Sequence, residues 1–199
     1  MAVKIALFSD YICPFCFVAA SRLERISREV SLEVVWRGVQ IHPETPPEGE
    51  PMSDGLRHKL SFPEGSIQHF VVDEGLEFRV PSVVPNSRLA LEATEYAAEQ
   101  GKFPRFHRAV FEAYWQQDRD IGRVTVLSEI AREVGLDAAD LEGYLKKGGG
   151  KARLQANVEE AATWQVVGMP TFVFAGRFLL EGVQAYEVLK RGAIKAAEP

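Results

Sequence analysis

The sequence predicts an α/β fold in which a small sheet is interrupted by a long helical block. Two apolar runs, residues 3–8 and 32–39, have the composition of buried strands, and a helical pattern lies between them. Strand-like sequence then returns only from Thr171 onward. The predicted order is therefore strand–helix–strand, a helical block, and finally two strands and a helix.

The first three elements are predicted to form a βαβ unit. Val18, Ala19, Leu23 and Ile26 are spaced by three and four residues or adjacent, so they mark one apolar face of a helix. This helix would connect the two strands as a crossover, which makes them parallel and the connection right-handed.

The middle of the chain is predicted to be mainly helical. Residues 42–51 carry several prolines and acids, and we interpret them as a boundary linker without regular structure. Apolar spacing and stop signals predict helices at residues 87–100, 103–114, 125–134, from 137 onward and 151–164. We interpret the aromatic stripe of the second of these, including His107, as core packing. The Lys-Gly-Gly-Gly-Lys run at 147–151 lacks the spacing of a phosphate loop, which favours a helix stop and a flexible joint.

Residues 171–175 and 178–181 alternate around Gly176 and predict a β-hairpin, and a helix at 185–196 follows. The predicted domains are a discontinuous α/β domain of residues 1–45 plus 166–199 and an inserted helical subdomain of residues 46–165.

Composition excludes several classes of function. With 46% apolar and 26% charged residues the chain has the make-up of a globular domain, and its net charge of −5 gives no basic surface for nucleic acid or an anionic membrane. No apolar stretch is long enough to span a bilayer, and residues 1–10 lack a signal-peptide pattern. We therefore expect a cytoplasmic protein.

The chain has two cysteines, Cys13 and Cys16, placed where the first strand turns into the first helix. A thiol at a helix N-terminus meets unpaired N–H groups and the positive end of the helix dipole, which lowers its pKa. Pro14 suits the first helical turn, where its missing N–H costs nothing. We predict a reversible dithiol–disulfide centre, with Cys13 as the exposed nucleophile and Cys16 as the more buried resolving thiol.

Two other interpretations of the cysteine pair are less favoured. A structural zinc site would need a second pair of ligands, and the four histidines show no close pairing: His42, His58, His69 and His107. We therefore predict no metal site. Two unreactive helix cysteines are disfavoured by the strand–turn–helix context and by Pro14, and a lone pair in the cytoplasm is more often redox-active.

Three motifs together resemble a known family. They are Asp-Tyr-Ile-Cys-Pro-Phe-Cys at 10–16, Pro-Asn-Ser-Arg-Leu-Ala at 85–90 and Gly-Met-Pro-Thr-Phe-Val-Phe at 168–174. The chain is similar to the thioredoxin fold with a large helical insertion, the DsbA-like branch, and within it to the cytoplasmic FrnE-like thiol oxidoreductases.

The resemblance implies a protein dithiol–disulfide oxidoreductase or isomerase. Its substrates would be protein thiols and disulfides or small thiols. No bound cofactor is expected, and glutathione is a candidate redox co-substrate. It also implies that Pro170 is cis and faces the cysteines, which leaves the backbone of Met169 free to pair with an extended substrate.

Several neighbours of the cysteines are candidate substrate-binding residues. We expect Phe15 to be exposed and to form an apolar rim with Tyr11 and Met169, while Phe17 is expected to pack inward. Asp10 either tunes the site electrostatically or caps the turn.

Two rival functions remain open. Kappa-class glutathione transferases and hydroxychromene-carboxylate isomerases resemble this architecture, but they typically carry serine at the position of Cys13. Alternatively, the groove beside Pro170 serves a non-enzymatic peptide-binding module. A small-molecule tailoring role is a further possibility that the resemblance to FrnE-like proteins raises.

Overall fold

The computed structural model describes residues 2–62 and 66–198. The strands are β1 (Val3–Ser9), β2 (Leu32–Gly38), β3 (Glu50–Pro51), β4 (Val83–Val84), β5 (Thr171–Phe174) and β6 (Phe178–Glu181). The helices are α1 (Pro14–Ser27), α2 (Asp54–Ser61), α3 (Ser66–Asp73), α4 (Arg88–Glu99), α5 (Phe103–Trp115), α6 (Val124–Glu133), α7 (Ala138–Lys146), α8 (Lys151–Thr163) and α9 (Tyr186–Ala197). Within the described ranges no helix combines the length and the apolar composition that a bilayer crossing requires.

The main sheet joins the two ends of the chain in the order β2-β1-β5-β6. β1 and β2 are parallel, with Val3 opposite Leu32, as the βαβ prediction requires. β5 pairs antiparallel with β1 and with β6, so the predicted hairpin is present. The α/β fold class is confirmed, and the end of β1 lies beside the start of β5.

The helical block lies between these two halves of the sheet in sequence. On α5 the apolar stripe is buried at Phe106, Val110 and Phe111, as expected. His107 is half-buried; as predicted, its ring packs against core aromatics, at centroid distances of 4.9 Å from Trp36 and 5.0 Å from Phe111, and it also lines a cavity. α8 packs back on the sheet, where the amide of Asn157 donates to the carbonyl of Gly38 over 3.2 Å.

The interpretation of residues 42–51 as a linker without regular structure is wrong at its end. Glu50 and Pro51 form β3, which pairs antiparallel with β4. Proline is compatible with a short edge strand because the missing N–H can face outward. The sequence alone did not indicate that residues 83–84 supply a partner.

The glycine run after α7 is a helix stop, as predicted, but it is not the flexible joint that was also expected. A Cβ at Gly150 would lie 2.7 Å from the Cα of Glu92, so α8 begins in close contact with α4. Gly148 has a φ of +67°, which ends α7 in the left-handed region that glycine tolerates. The run is therefore a packed junction between helices and not a flexible joint.

Candidate active site

Cys13 lies at the N-cap of α1. Its backbone is extended, with φ −90° and ψ 114°, and Pro14 begins the helix. The amide of Cys16 donates to the carbonyl of Cys13 over 3.1 Å, which closes the first turn. The strand-to-helix transition predicted from the sequence is therefore present, and it places both sulfur atoms at the N-terminal end of α1.

Both cysteines are free thiols, and both are more buried than predicted for the first. Cys13 is 5% exposed and Cys16 is fully buried. The prediction of an exposed Cys13 is wrong, although the order of accessibility is as expected. Because the packed segment around Cys13 leaves little of it open, a substrate must reach the sulfur through a narrow approach or displace a neighbour.

The environment separates the acidities of the two thiols. A hydrogen bond from the Cys16 side chain lowers the pKa of Cys13; burial opposes this, and the backbone N–H groups of Cys16 and Phe15 add to the lowering. Burial raises the pKa of Cys16 well above its ordinary value, and the hydrogen bond to Cys13 raises it further. Cys13 is therefore the thiol that ionises first, and Cys16 keeps its proton.

The segment before β5 lies directly against Cys13. The Met169–Pro170 peptide bond is cis, as the resemblance implies, and the Cys13 thiol donates to the carbonyl of Met169 with an Sγ–O distance of 3.7 Å. Pro170 is buried and Met169 is half-buried. The amide of Gly182 donates to the carbonyl of Pro170 over 2.8 Å and holds the segment in place. The structure thus brings Cys13, Cys16, Met169 and Pro170 together.

The predicted apolar rim is only partly present. Phe15 is half-buried, and its ring meets Phe70 of α3 edge-on at a centroid distance of 6.3 Å. Phe17 is buried, as favoured. Phe70 could not be identified as a neighbour from the sequence, because it lies in a stretch for which no individual helix was predicted.

Tyr11 is fully buried, so its predicted place on the rim is wrong. Its hydroxyl makes hydrogen bonds with Thr94 Oγ1 over 2.6 Å and with His107 Nδ1 over 2.9 Å. The indole of Trp115 donates to its carbonyl over 2.8 Å. Tyr11 instead attaches the segment before Cys13 to α4 and α5.

Asp10 is buried beneath the cysteines and acts in both of the ways left open by the sequence. Its carboxylate accepts from the amide of Ile41 over 2.9 Å and from the hydroxyl of Ser87 over 3.0 Å, with a longer contact of 3.5 Å to the amide of Ile12. Burial raises its pKa to about 6 despite these bonds. Its charge raises the pKa of Cys13. Asp10 therefore holds the segment before Cys13 through these hydrogen bonds, and its charge disfavours the Cys13 thiolate less strongly than burial does.

Residues 2–62 and 66–198 contain no group of three or more histidine, cysteine, aspartate or glutamate side chains placed to hold a metal ion. The site therefore offers two thiols, of which Cys13 has a lowered pKa and Cys16 a raised one, beside the backbone carbonyl of Met169.

Comparison with known proteins gives the same fold. The chain is 30% identical to the Bacillus subtilis protein YwbO over 197 residues, which covers 96% of each chain. A probable DsbA oxidoreductase from Streptomyces coelicolor superposes with a TM-score of 0.83 at 22% identity, covering 98% of this chain and 89% of the other.

Two further solved structures share the fold at low identity. One is a 2-hydroxychromene-2-carboxylate isomerase, with a TM-score of 0.80, 18% identity and coverage of 96% of this chain and 95% of the other. The second is the cytosolic disulfide reductase DsbM from Pseudomonas aeruginosa with GSH, with a TM-score of 0.71, 20% identity and coverage of 98% and 96%. The family model of the DSBA-like thioredoxin domain matches residues 4–192. This chain, with its dithiol at the N-terminus of α1, belongs to the DSBA-like thioredoxin domain family.

Proposed function

We propose that the protein is a thiol–disulfide oxidoreductase and isomerase that exchanges disulfides with protein substrates through Cys13 and Cys16. The observation that carries this proposal is the asymmetric pair of thiols. The pKa of Cys13 is lowered and that of Cys16 is raised, and the Cys13 thiol lies 3.7 Å from the carbonyl of Met169, next to the cis Met169–Pro170 bond. Such a pair has one nucleophile and one reserve thiol, which is what a two-step exchange requires.

In the reducing direction the Cys13 thiolate attacks one sulfur of a substrate disulfide. A Cys13–substrate disulfide forms and the other substrate sulfur leaves as a thiolate. Cys16, after losing its proton, attacks Cys13 Sγ, releases the second substrate thiolate and leaves a Cys13–Cys16 disulfide. Two electrons pass from the dithiol to the substrate, and the released thiolates take up protons. The oxidising direction is the reverse sequence.

An external thiol must restore the dithiol in the reducing direction, and we propose glutathione for this role. The support is the similarity to DsbM, whose solved structure is described as a cytosolic disulfide reductase with GSH. The same similarity supports a cytoplasmic location, and the three motifs of the sequence support a FrnE-like specificity. Neither the disulfide exchange nor the regeneration of the dithiol by glutathione requires a bound cofactor.

We propose that substrates dock along the backbone of Met169 before they react. The Met169 carbonyl already lies 3.7 Å from Cys13 Sγ, so an extended segment paired there would bring its own sulfur next to the nucleophile. Phe15, two residues after Cys13, packs edge-on against Phe70 and offers an apolar contact for such a segment.

A glutathione-dependent isomerase or transferase is the second candidate. It is supported by the likeness to 2-hydroxychromene-2-carboxylate isomerase. In such an enzyme one group at position 13 would suffice to activate glutathione. Cys16 would then be dispensable for catalysis, whereas disulfide exchange needs it.

Trapping with Cys16→Ser tests the proposal and separates the two candidates. If disulfide exchange is the function, the variant accumulates mixed disulfides through Cys13 in cells, and mass spectrometry identifies the proteins held there. The matched Cys13→Ser variant should trap none. Absence of Cys13-dependent adducts, or glutathione conjugation undiminished in Cys16→Ser, would reject disulfide exchange in favour of the isomerase or transferase.

A further inference from the structure

The segment that carries the Met169 carbonyl lies between α8 and β5. It is named here the pre-proline segment, residues 167–169, and it belongs to neither element. Packing does little to fix its first residue, because Val167 is 88% exposed. Its last carbonyl nevertheless lies 3.7 Å from Cys13 Sγ. Contacts other than apolar packing of Val167 must therefore hold the segment against the dithiol.

A carboxylate at the end of β6 binds the start of this segment. Oε1 of Glu181 accepts from the amide of Val167 over 3.0 Å and from the amide of Gly168 over 2.9 Å. Hydrogen bonds to an ionised acceptor are roughly twice as strong as those between neutral groups. Glu181 lies opposite Thr171 in the pairing of β6 with β5. The sheet therefore fixes where this carboxylate lies relative to the segment that leads into β5.

Thr171 binds the same segment at a carbonyl. Its hydroxyl donates to the carbonyl of Gly168 over 2.7 Å, and Thr171 itself is fully buried at the start of β5. Gly168 is thus held at its N–H by Glu181 and at its carbonyl by Thr171. Both hydrogen bonds are made to the residue directly before Met169, whose carbonyl faces Cys13.

The exposure of Glu181 separates its contribution to the fold from its contribution to the site. Glu181 is exposed, and substitutions of exposed side chains usually change the stability of a whole domain very little. Its carboxylate acts locally, on two N–H groups of the pre-proline segment. Because neighbouring residues are joined by rigid peptide units, a displacement of Gly168 also displaces Met169.

We propose that Glu181 and Thr171 are positioning residues for substrate docking. They hold Gly168 so that the backbone of Met169 presents an extended substrate to Cys13. This inference rests on the proposed disulfide exchange and adds which side chains orient the docked substrate. Both residues act through the pre-proline segment, so their loss affects substrates that pair with that segment more than substrates that have no backbone to pair.

The test compares two disulfides with the same leaving group on the reduced full-length protein. One is bis(2-hydroxyethyl) disulfide, which has no peptide backbone. The other is a short unstructured peptide whose single cysteine forms a disulfide with 2-mercaptoethanol. In each reaction the Cys13 thiolate displaces one thiolate from the probe and Cys16 then displaces the other. The dithiol ends as a Cys13–Cys16 disulfide, and its two electrons have reduced the probe to two thiols.

The rate constants of the two probes are measured with the protein in excess. In the natural protein the peptide should react faster than the small disulfide. Glu181→Ala should slow the peptide about tenfold and the small disulfide by less than about twofold, since only the docked substrate loses its position. Glu181→Gln keeps an oxygen that can accept from both amides and should restore most of the peptide rate. Glu187→Ala, which removes an exposed carboxylate of α9, should alter neither rate.

Thr171→Val tests the second hydrogen bond. Valine keeps the branched shape in β5 but removes the donor to the Gly168 carbonyl, so this variant should also slow the peptide selectively. Urea unfolding of each variant verifies that it is folded. Should Glu181→Ala fail to fold, the same comparison of the two probes in Thr171→Val decides the question.

The inference is overturned if Glu181→Ala leaves the peptide rate unchanged. Equal slowing of both probes would also overturn it, because the residue would then act on Cys13 or on the whole fold and not on docking. If the natural protein reduces both probes equally fast through Cys13, disulfide exchange stands and the docking inference fails. If neither probe reacts, or if Cys13→Ser reacts as the natural protein does, the proposed function fails and this inference fails with it.

Discussion

Replacing the buried carboxylate of Asp10 tests how the site is held and tuned. In the folded protein the pKa of Asp10 is raised from its ordinary value of 3.8 to about 6, chiefly by burial. At about 1.4 kcal/mol per pKa unit this corresponds to about 3 kcal/mol. Ionising Asp10 therefore costs more free energy in the folded state than in the unfolded state. The resulting decrease in the free energy of unfolding is complete only at pH values above the pKa of the folded state.

The sign of the pH dependence follows from proton binding. Between pH values near 4 and 6 the folded protein holds the Asp10 proton more often than the unfolded chain does. The contribution of Asp10 to the free energy of unfolding therefore falls as pH rises through this window and stays low above it. Asp10→Asn removes this contribution, so the variant gains stability relative to the natural protein as pH rises.

Urea unfolding followed by circular dichroism measures this difference. Between about pH 5 and about pH 7.5 the free energy of unfolding of Asp10→Asn, relative to the natural protein, should rise by about 1.5 kcal/mol. Using the pH dependence avoids the constant cost of placing an amide against Ile41 and Ser87. The exposed Asp54 provides a control, since Asp54→Asn should show little change. A relative stability of Asp10→Asn that is flat or falls with pH would refute the buried-acid interpretation.

The remaining predictions concern the thiol and its supporting helix. Phe15 adds no charge beside Cys13, so equilibration with glutathione should place the reduction potential of the Cys13–Cys16 pair between about −270 and −120 mV. Phe15→His should make this potential less negative, whereas Phe15→Leu should not change it. A potential outside this span, or one that histidine leaves unchanged, would contradict the argument. Glu74→Ala leaves the buried guanidinium of Arg22 without its 2.8 Å partner and should lower the free energy of unfolding by about 3 kcal/mol in urea titrations. Arg28→Ala breaks only an exposed ion pair and should lower the free energy of unfolding by less than about 0.5 kcal/mol. If the two variants lose equal stability, burial does not strengthen the contribution of the Arg22–Glu74 pair.

The parts of the fold that local pattern decides could be predicted from the sequence. Apolar spacing placed α1 and the hairpin of β5 and β6, and the position of Cys13 before Pro14 placed the N-cap. These features depend on residues within one or two turns of each other. For the same reason the relative order of accessibility of the two cysteines could be predicted, since Cys16 lies one turn into the helix.

The parts decided by distant partners could not be predicted in this way. The position of Tyr11 near the cysteines in sequence predicted a rim residue, but its hydrogen-bond partners Thr94 and Trp115 are 83 and 104 residues away. Cys13 is covered by Met169, which is 156 residues away in sequence. The pairing of β3 with β4 likewise depends on a contact that neither segment signals alone.

These distant contacts show how the helical block supports the dithiol. The segment before Cys13 is held by Ser87 at the start of α4 through Asp10, and by Thr94 within α4 through Tyr11. Without those partners, two buried polar groups next to Cys13 would lose hydrogen bonds that burial makes costly to leave unmade. The block is therefore part of the machinery that sets the acidity and position of Cys13. Substitutions at Ser87 or Thr94 should therefore change the pKa or the position of the Cys13 thiol, even though these two hydrogen bonds are made to Asp10 and Tyr11 and not to the sulfur.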